Sequence, residues 1–418
     1  MKLFLKNIGK IENATIELNG ITVIAGENNT GKSTIGKTLF AVFNSFYDIE
    51  SKIERERENY IERFIFRNSN YDMISNNSSL LKENFIDEVI EELNPEKISS
   101  ISEDTIKDTI CKNIGEELDE SLDNLVDEIS KKVKEAFKIS HLDFLKKILD
   151  SNLNTEFDNQ ICNIFSDLDS EIILTIKERD INIKIIDDEV VTVENKIPLR
   201  TEIIYIDNPF IIDDIDRRFF LRYNRNIPRK HSGFLLEKLQ RENSENNIIN
   251  EIMVQKIFEK IFSKINLGNF VTIGSRLKYK KNNSEKTLNI KNLSTGIKAF
   301  MIIKTLLFNG NISENGTIVL DEPEVHLHPE WQLIFAELIV LLQKEFGLHI
   351  LLTTHSPYFL NAIEVYSAKY GIKEKCKFYL SENDGDLSKF KDVTDDLSPI
   401  YRKLSMPLQV LEDEENKI

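Results

Sequence analysis

In GENNTGKS, Gly26 to Ser33, two glycines, a lysine and a hydroxyl residue stand at the spacing G-x-x-x-x-G-K-S. The chemistry such a set performs is phosphate binding. Gly26 and Gly31 let the backbone wrap tightly enough for successive N–H groups to point at a β-phosphate, helped by the positive end of the helix that follows. Lys32 can bridge the β- and γ-phosphates, Ser33 can offer its hydroxyl to Mg²⁺, and Thr34 is placed for the α-phosphate. Glu27, Asn28, Asn29 and Thr30 complete the expected nucleotide-binding loop. ATP with Mg²⁺ is the implied pair, but the loop alone does not say what hydrolysis drives.

Two further stretches supply the rest of the chemistry. The apolar run TIVL ends in Asp321 and Glu322. There Asp321 would hold the Mg²⁺ shell through water, and Glu322 would act as general base for an attacking water. Two carboxylates side by side are costly unless a cation offsets them. LLTTHSP ends another apolar run and presents His355 to the γ-phosphate region, with Ser356 and Pro357 fixing the turn. Lys32, Glu322 and His355 are therefore the expected catalytic residues, and Ser33 and Asp321 the expected metal-side residues. In NLSTGIKAF, Ser294, Thr295 and Gly296 open an apolar helical run and make a second anion site. Since the first loop already takes the triphosphate from one side, this one could cap it from a second subunit. His326 and His328 have no third ligand at metal spacing, so structural or interface roles are expected. Asp384 and Asp386 are read as a solvated turn.

The elements needed to position these residues are legible. KLFLKNI and ATIEL alternate as strands, and ITVIA is a buried strand running into the loop. Ile35, Leu39, Val42 and Phe46 then recur at helical spacing. The strand GTIVLDEPE, the helix WQLIFAELIVLLQKEF and the strand LHILLTTHSP form a βαβ-like unit. The expected organisation is an α/β head with mixed sheets and flanking helices, split into residues 1–47 and 199–400. Residues 48–198 are expected to form a mainly helical insertion with a short β hairpin near its end, and 401–418 a partly disordered tail. Periodicity within the insertion never holds for the clean heptads of a long coiled coil.

Bulk composition narrows the partners. The 418 residues carry a net charge of -16, and residues 51–150 alone hold 24 acidic against 15 basic side chains. Such acidity weakens the case for a large nucleic-acid face. Local basic stretches at 217–230 and 276–283 keep nucleic acid open as a partner. The three cysteines, Cys111, Cys162 and Cys376, form neither a disulfide framework nor a metal motif, which suits a reducing cytoplasm. No run of 18 apolar residues suggests a membrane span, and the start MKLFLKNIGK lacks the apolar centre of a signal peptide.

The order GENNTGKS, LSTG, DEPEVHLHP, THSP resembles the ATP-binding-cassette type of AAA ATPase. Within it, DEPEVHLHP with TTHSP resembles the overcoming-lysogenization-defect (OLD) type and related anti-phage ATPases, such as Septu and PARIS subunits. The resemblance covers roughly residues 1–45 and 200–365. It implies a homodimer, or a higher oligomer, in which Gly26–Thr34, Asp321, Glu322 and His355 of one head face Ser294–Gly296 of the other. The implied function is a sensor or switch controlling a separate effector, a nuclease or toxin, in anti-phage defence. The 61 residues after Pro357 are too few for the nuclease domain of OLD nucleases, so none is expected here. This sequence departs from the pattern in three places. LSTG replaces LSGG, His328 stands where a transporter-like aspartate would fall, and no clear Q-loop glutamine exists; Asp207 or Asn208 is the nearest substitute. The alternative is a DNA-binding repair or chromosome-maintenance ATPase. A transporter subunit would need the full signature and a Q-loop, and a catalytically dead scaffold would not retain Lys32, Ser33, Asp321, Glu322 and His355.

Overall fold

The structure, a computed structural model, describes residues 1–68, 85–93, 98–114, 120–166, 168–195, 197–215, 229–240, 248–265, 267–273 and 276–417. They fall into two compact units, Met1–Tyr47 with Leu149–Ile418, and Asp48–Ile148.

The first unit begins with strands β1 (Lys2–Ile8), β2 (Ile11–Glu17) and β3 (Ile21–Gly26), followed by helix α1 (Lys32–Phe46). The chain then builds the second unit from α2 (Ile49–Asn68), α3 (Phe85–Leu93), α4 (Glu103–Ile114) and α5 (Glu120–Lys138), and α6 (His141–Phe157) leads back to the first. Apolar residues at helical spacing, Ile61 and Ile65 on α2, Ile106 and Ile110 on α4, Val126, Ile129 and Val133 on α5, bury one common core.

Back in the first unit come β4 (Ser170–Ile176), β5 (Arg179–Ile186), β6 (Glu189–Glu194) and β7 (Ile203–Ile206). Helices α7 (His231–Gln240) and α8 (Ile248–Ile257) precede β8 (Asn269–Ile273), β9 (Arg276–Lys280) and β10 (Thr287–Asn289), a separate three-stranded sheet. Then follow α9 (Thr295–Phe308), β11 (Thr317–Asp321), α10 (Pro329–Phe346), β12 (His349–Thr354) and α11 (Pro357–Lys369). The chain finishes with β13 (Cys376–Asp384), β14 (Leu387–Asp392) and α12 (Ser398–Glu415).

The main sheet runs β6-β5-β4-β1-β2-β14-β13-β3-β12-β11-β7. From β13 to β7 every pairing is parallel, and β11, α10 and β12 form the βαβ unit. All six residues of β3 are buried because helices cover both faces of that part of the sheet. At the other end β1, β2, β4, β5 and β6 pair antiparallel.

Two boundaries differ from expectation. The hairpin expected at the close of the 48–198 insertion forms as β4, β5 and β6, but β4 also pairs with β1, burying Ile172 and Leu174, so it belongs to the main sheet. The compact second unit therefore closes at Ile148. The 401–418 tail, expected to be partly disordered, is helical through Glu415, although most of its side chains are exposed.

Candidate active site

β3 and β13 run side by side, with Gly26 opposite Ser381. That proximity, rather than turn geometry alone, requires glycine: a Cβ on Gly26, at φ 153°, would meet the Ser381 carbonyl oxygen at 2.0 Å. Asn29 takes φ 60°, a left-handed conformation that asparagine tolerates, and Gly31, at φ 75°, caps α1. Thr30 Oγ1 donates to the Glu27 carbonyl (3.0 Å) and meets the Ser381 hydroxyl (2.9 Å). The buried Lys32 ammonium donates to the same Glu27 carbonyl at 2.6 Å. Burial lowers its pKa, opposed by the charges of Glu322, Asp321, Glu324 and Glu27. Glu27 in turn is held by Lys403 at 2.5 Å and by Asn383 through both backbone N–H (3.2 Å) and side-chain amide (3.0 Å). These partners, Lys403 foremost, keep the Glu27 carboxyl below its ordinary pKa.

Asp321 ends β11 opposite Thr353 of β12. Its two oxygens are fixed by two hydroxyls, Thr353 Oγ1 to Oδ1 at 2.5 Å and Tyr205 Oη to Oδ2 at 2.9 Å. Glu322 has φ 48°, a strained value for this residue, held by its N–H donating to Thr353 Oγ1 at 2.9 Å. Its Oε1 lies 3.0 Å from His355 Nε2, at ion-pair distance but outside hydrogen-bond alignment. The His355 contact, aided by Lys32, lowers the Glu322 pKa against the effect of burial. The P-loop, Asp321, Glu322 and His355 thus meet at the carboxyl ends of adjacent parallel strands, where α/β sheets bind ligands.

The signature residues are not brought into that cluster. Ser294 is exposed and its side chain makes no capping bond, while Gly296 packs on Trp331 and Leu327, where a Cβ would sit 3.0 Å from the indole. Of the two Q-loop substitutes, Asp207 Oδ2 lies 3.1 Å from His231 Nε2 and Asn208 Oδ1 accepts from Phe210 N. His326 sits edge-on to Phe210, and His328 caps α10 through Glu330 N at 3.4 Å. Asp384 pairs with Lys389. Of the 217–230 stretch, 217–228 lies outside the described residues; Arg229 and Lys230 pair with Glu237 and Asp158. In 276–283, Lys280 pairs with Glu285.

Several side chains were not found from sequence. Glu324 is buried, and its Oε1 accepts from Thr354 Oγ1 (2.6 Å) and His355 N (2.9 Å), while its Oε2 has no partner among the described residues. Burial raises its pKa. Tyr205, Thr353, Ser381, Asn383 and Lys403 are the others.

The residues fit Mg²⁺. Among the described residues no group of three or more His, Cys, Asp or Glu could hold a metal unaided. Mg²⁺ needs no such group, because it keeps water and phosphate oxygens and takes one or two protein ligands. Four carboxylates act on the ammonium of Lys32, and among the described residues only Glu27 of these has a second ammonium, that of Lys403; the charge on Asp321 and Glu322 is one that a divalent cation would offset.

The model of the AAA ATPase domain family matches residues 1–360. The chain belongs to that family. It is a P-loop ATPase domain of the ATP-hydrolysing type. Solved structures that it resembles include an SMC head domain from Thermotoga maritima, at 13% identity and TM-score 0.40, covering 94% of this chain and 98% of that one. An SMC head bound to the C-winged helix domain of ScpA follows at 13% and 0.44, covering 96% and 98%. A third, an SMC head with an extended coiled coil bound to the C-terminal domain of ScpA, from Pyrococcus furiosus, matches at 12% and 0.40, covering 99% and 98%. Likeness of this degree transfers no partner or role. Among the described residues no helix is long and apolar enough to cross a membrane.

Proposed function

We propose that this AAA ATPase is an ATP-gated switch whose head closes on a second copy around the nucleotide. The observation that carries the reading is the separation of its motifs. The P-loop, Asp321, Glu322 and His355 converge, whereas Ser294 is exposed with an unengaged hydroxyl at the start of a 14-residue apolar helix. An anion-binding helix start turned to solvent suits a triphosphate held by another molecule.

In that cycle the P-loop N–H groups and Lys32 bind the β- and γ-phosphates. Glu322 takes the proton of the attacking water, and His355, 3.0 Å away, holds the carboxylate in its ionised form. Mg²⁺, bound at Ser33 and Asp321, would supply charge neutralisation for the phosphates. ATP shared between two heads makes association depend on nucleotide by linkage, and hydrolysis at Glu322 sets the lifetime of the pair.

Downstream of the cycle, two readings stay apart. DNA repair or chromosome maintenance predicts DNA binding that weakens steeply with salt. Control of a separate nuclease or toxin in anti-phage defence rests on the motif phrases DEPEVHLHP and TTHSP alone. The solved heads named above stand nearer the first, at a likeness too low to carry it.

The test is the solution mass of Glu322→Gln with and without Mg²⁺-ATP. The variant is expected to lose about 100- to 10,000-fold in turnover and to double in mass with ATP. An unchanged mass at saturating ATP overturns the switch. A DNA titration across salt on the same protein decides between the downstream readings.

A further inference from the structure

Tyr205 is 1% exposed and sits on β7, one strand beyond Asp321 in the sheet. Its ring stacks on His231, with centroids 4.2 Å apart and planes 29° from parallel. Both nitrogens of His231 meet carboxylates: Nδ1 lies 2.7 Å from Glu156 Oε2, and Nε2 lies 3.1 Å from Asp207 Oδ2. The His231 backbone N–H also donates to Glu156, at 2.5 Å. An imidazole with a carboxylate at each nitrogen is held as a doubly donating cation in one fixed plane. Phe40 of α1 packs edge-on against His231 and at a tilt against Tyr205.

The P-loop helix is shaped around this ring pair. A Cβ on Gly36 would come within 3.3 Å of Tyr205 Cζ and Oη, and within 2.9 Å of Val319. Burial first, and Asp321 second, hold the Tyr205 hydroxyl well above its ordinary pKa, so it remains a donor. It donates to Asp321 Oδ2 at 2.9 Å while Thr353 donates to Oδ1. Two hydroxyls on opposite oxygens leave the carboxylate no freedom to turn about its own axis.

We infer that Tyr205, clamped by His231, is a positioning residue that orients the Asp321 carboxylate toward the Mg²⁺ of bound Mg²⁺-ATP. The inference rests on the reading of Asp321 as the metal-side carboxylate and deepens it. A hydroxyl that fixes a metal-side carboxylate acts on metal affinity, not on nucleotide affinity without metal. Partners of this kind typically change metal affinity by about 10- to 100-fold when removed.

Tyr205→Phe removes the hydroxyl and keeps the ring and its stacking. The probe is Mn²⁺, titrated by electron paramagnetic resonance against the full chain saturated with a non-hydrolysable ATP analogue. A second readout is binding of a fluorescent ATP analogue in EDTA. Expected is about tenfold weaker Mn²⁺ binding with unchanged binding in EDTA. Unchanged Mn²⁺ affinity overturns the inference, and so does an equal loss in EDTA, which would mark a merely structural role. Gly36→Ala, which crowds the hydroxyl without removing it, should weaken Mn²⁺ in the same direction if Tyr205→Phe proves poorly folded; no change there also overturns it. Asp321→Asn is the control on the underlying reading. If that variant keeps full Mn²⁺ affinity, the metal assignment fails first, whatever Tyr205 does.

Discussion

Glu322 and Glu324 hold His355 from two directions. Glu322 Oε1 stands 3.0 Å from the imidazole Nε2, and Glu324 Oε1 accepts the His355 backbone N–H at 2.9 Å. The two carboxylates flank Pro323, so one short turn after β11 fixes both the ring and the main chain at the end of β12. The position of His355 is thereby set by the turn that follows β11.

Glu324→Ala should therefore damage turnover from a position outside the catalytic set. It leaves the Thr354 hydroxyl and His355 N–H without their acceptor, at a stability cost of about 1–3 kcal/mol. Because the loop can then shift, kcat should fall on the order of 100-fold with KM for ATP little changed. Steady-state kinetics beside a melting curve check this. A lowered melting temperature with unaltered kcat would confine Glu324 to a packing role.

His231 gives the fold a pH dependence. Burial alone would lower its pKa, but the hydrogen bonds and charges of Asp207 and Glu156 outweigh it and push it up to about 9, from an ordinary 6.5. A pKa raised in the folded state stabilises fully below the unfolded value and loses that contribution as pH rises through the folded one. The window is thus pH 6.5 to 9, and the contribution on the order of 3 kcal/mol. Denaturant melts of wild type and His231→Gln across pH 6 to 10 should show a stability gap that narrows by that amount. A gap constant with pH would mean that His231 is neutral in the fold.

What could be read in the sequence follows from how local each feature is. The P-loop, the Asp321–Glu322 pair and His355 each close a strand in consecutive residues, so apolar run plus motif places them. Strands 171–193 were legible by alternation, but their partner is β1, and nothing local in either segment announces that pairing. The same limit hides Ser381 and Asn383, which reach the P-loop only because β13 lies next to β3. Tyr205 and His231 are hidden for this reason too, since they come together from β7 and α7. Gly26 illustrates the difference: its motif identifies it as a loop glycine, whereas the closest constraint on it is the Ser381 carbonyl of a strand near the other end of the chain.

Lys403 links the last helix to the P-loop through Glu27, at 2.5 Å. Both side chains are partly exposed, so Lys403→Ala should cost less than about 1 kcal/mol of stability. Glu27 would keep Asn383 as its remaining holder. The loop should then be less ordered before nucleotide arrives, and ATP affinity should fall more than stability does. Calorimetric ATP titration beside a denaturant melt measures both. Equal affinities in the two proteins would show that α12 has no hold on the loop.

A shared site makes one further demand, that two dead proteins can repair each other. Ser294→Arg disables the exposed helix start but leaves the P-loop intact; Lys32→Ala does the reverse. Each alone should be inactive if every site needs a P-loop from one copy and Ser294 from the other. In a two-fold pair each subunit presents the same surfaces, so a mixed pair holds one site with both Lys32 and Ser294 and one with neither. With random mixing half of the pairs are mixed, and activity should return to roughly a quarter of wild type. Recovery should appear on mixing and follow the product of the two concentrations. If the mixture stays as inactive as its parts, Ser294 does not complete the site of a second copy, and the separation of LSTG from the P-loop needs another explanation.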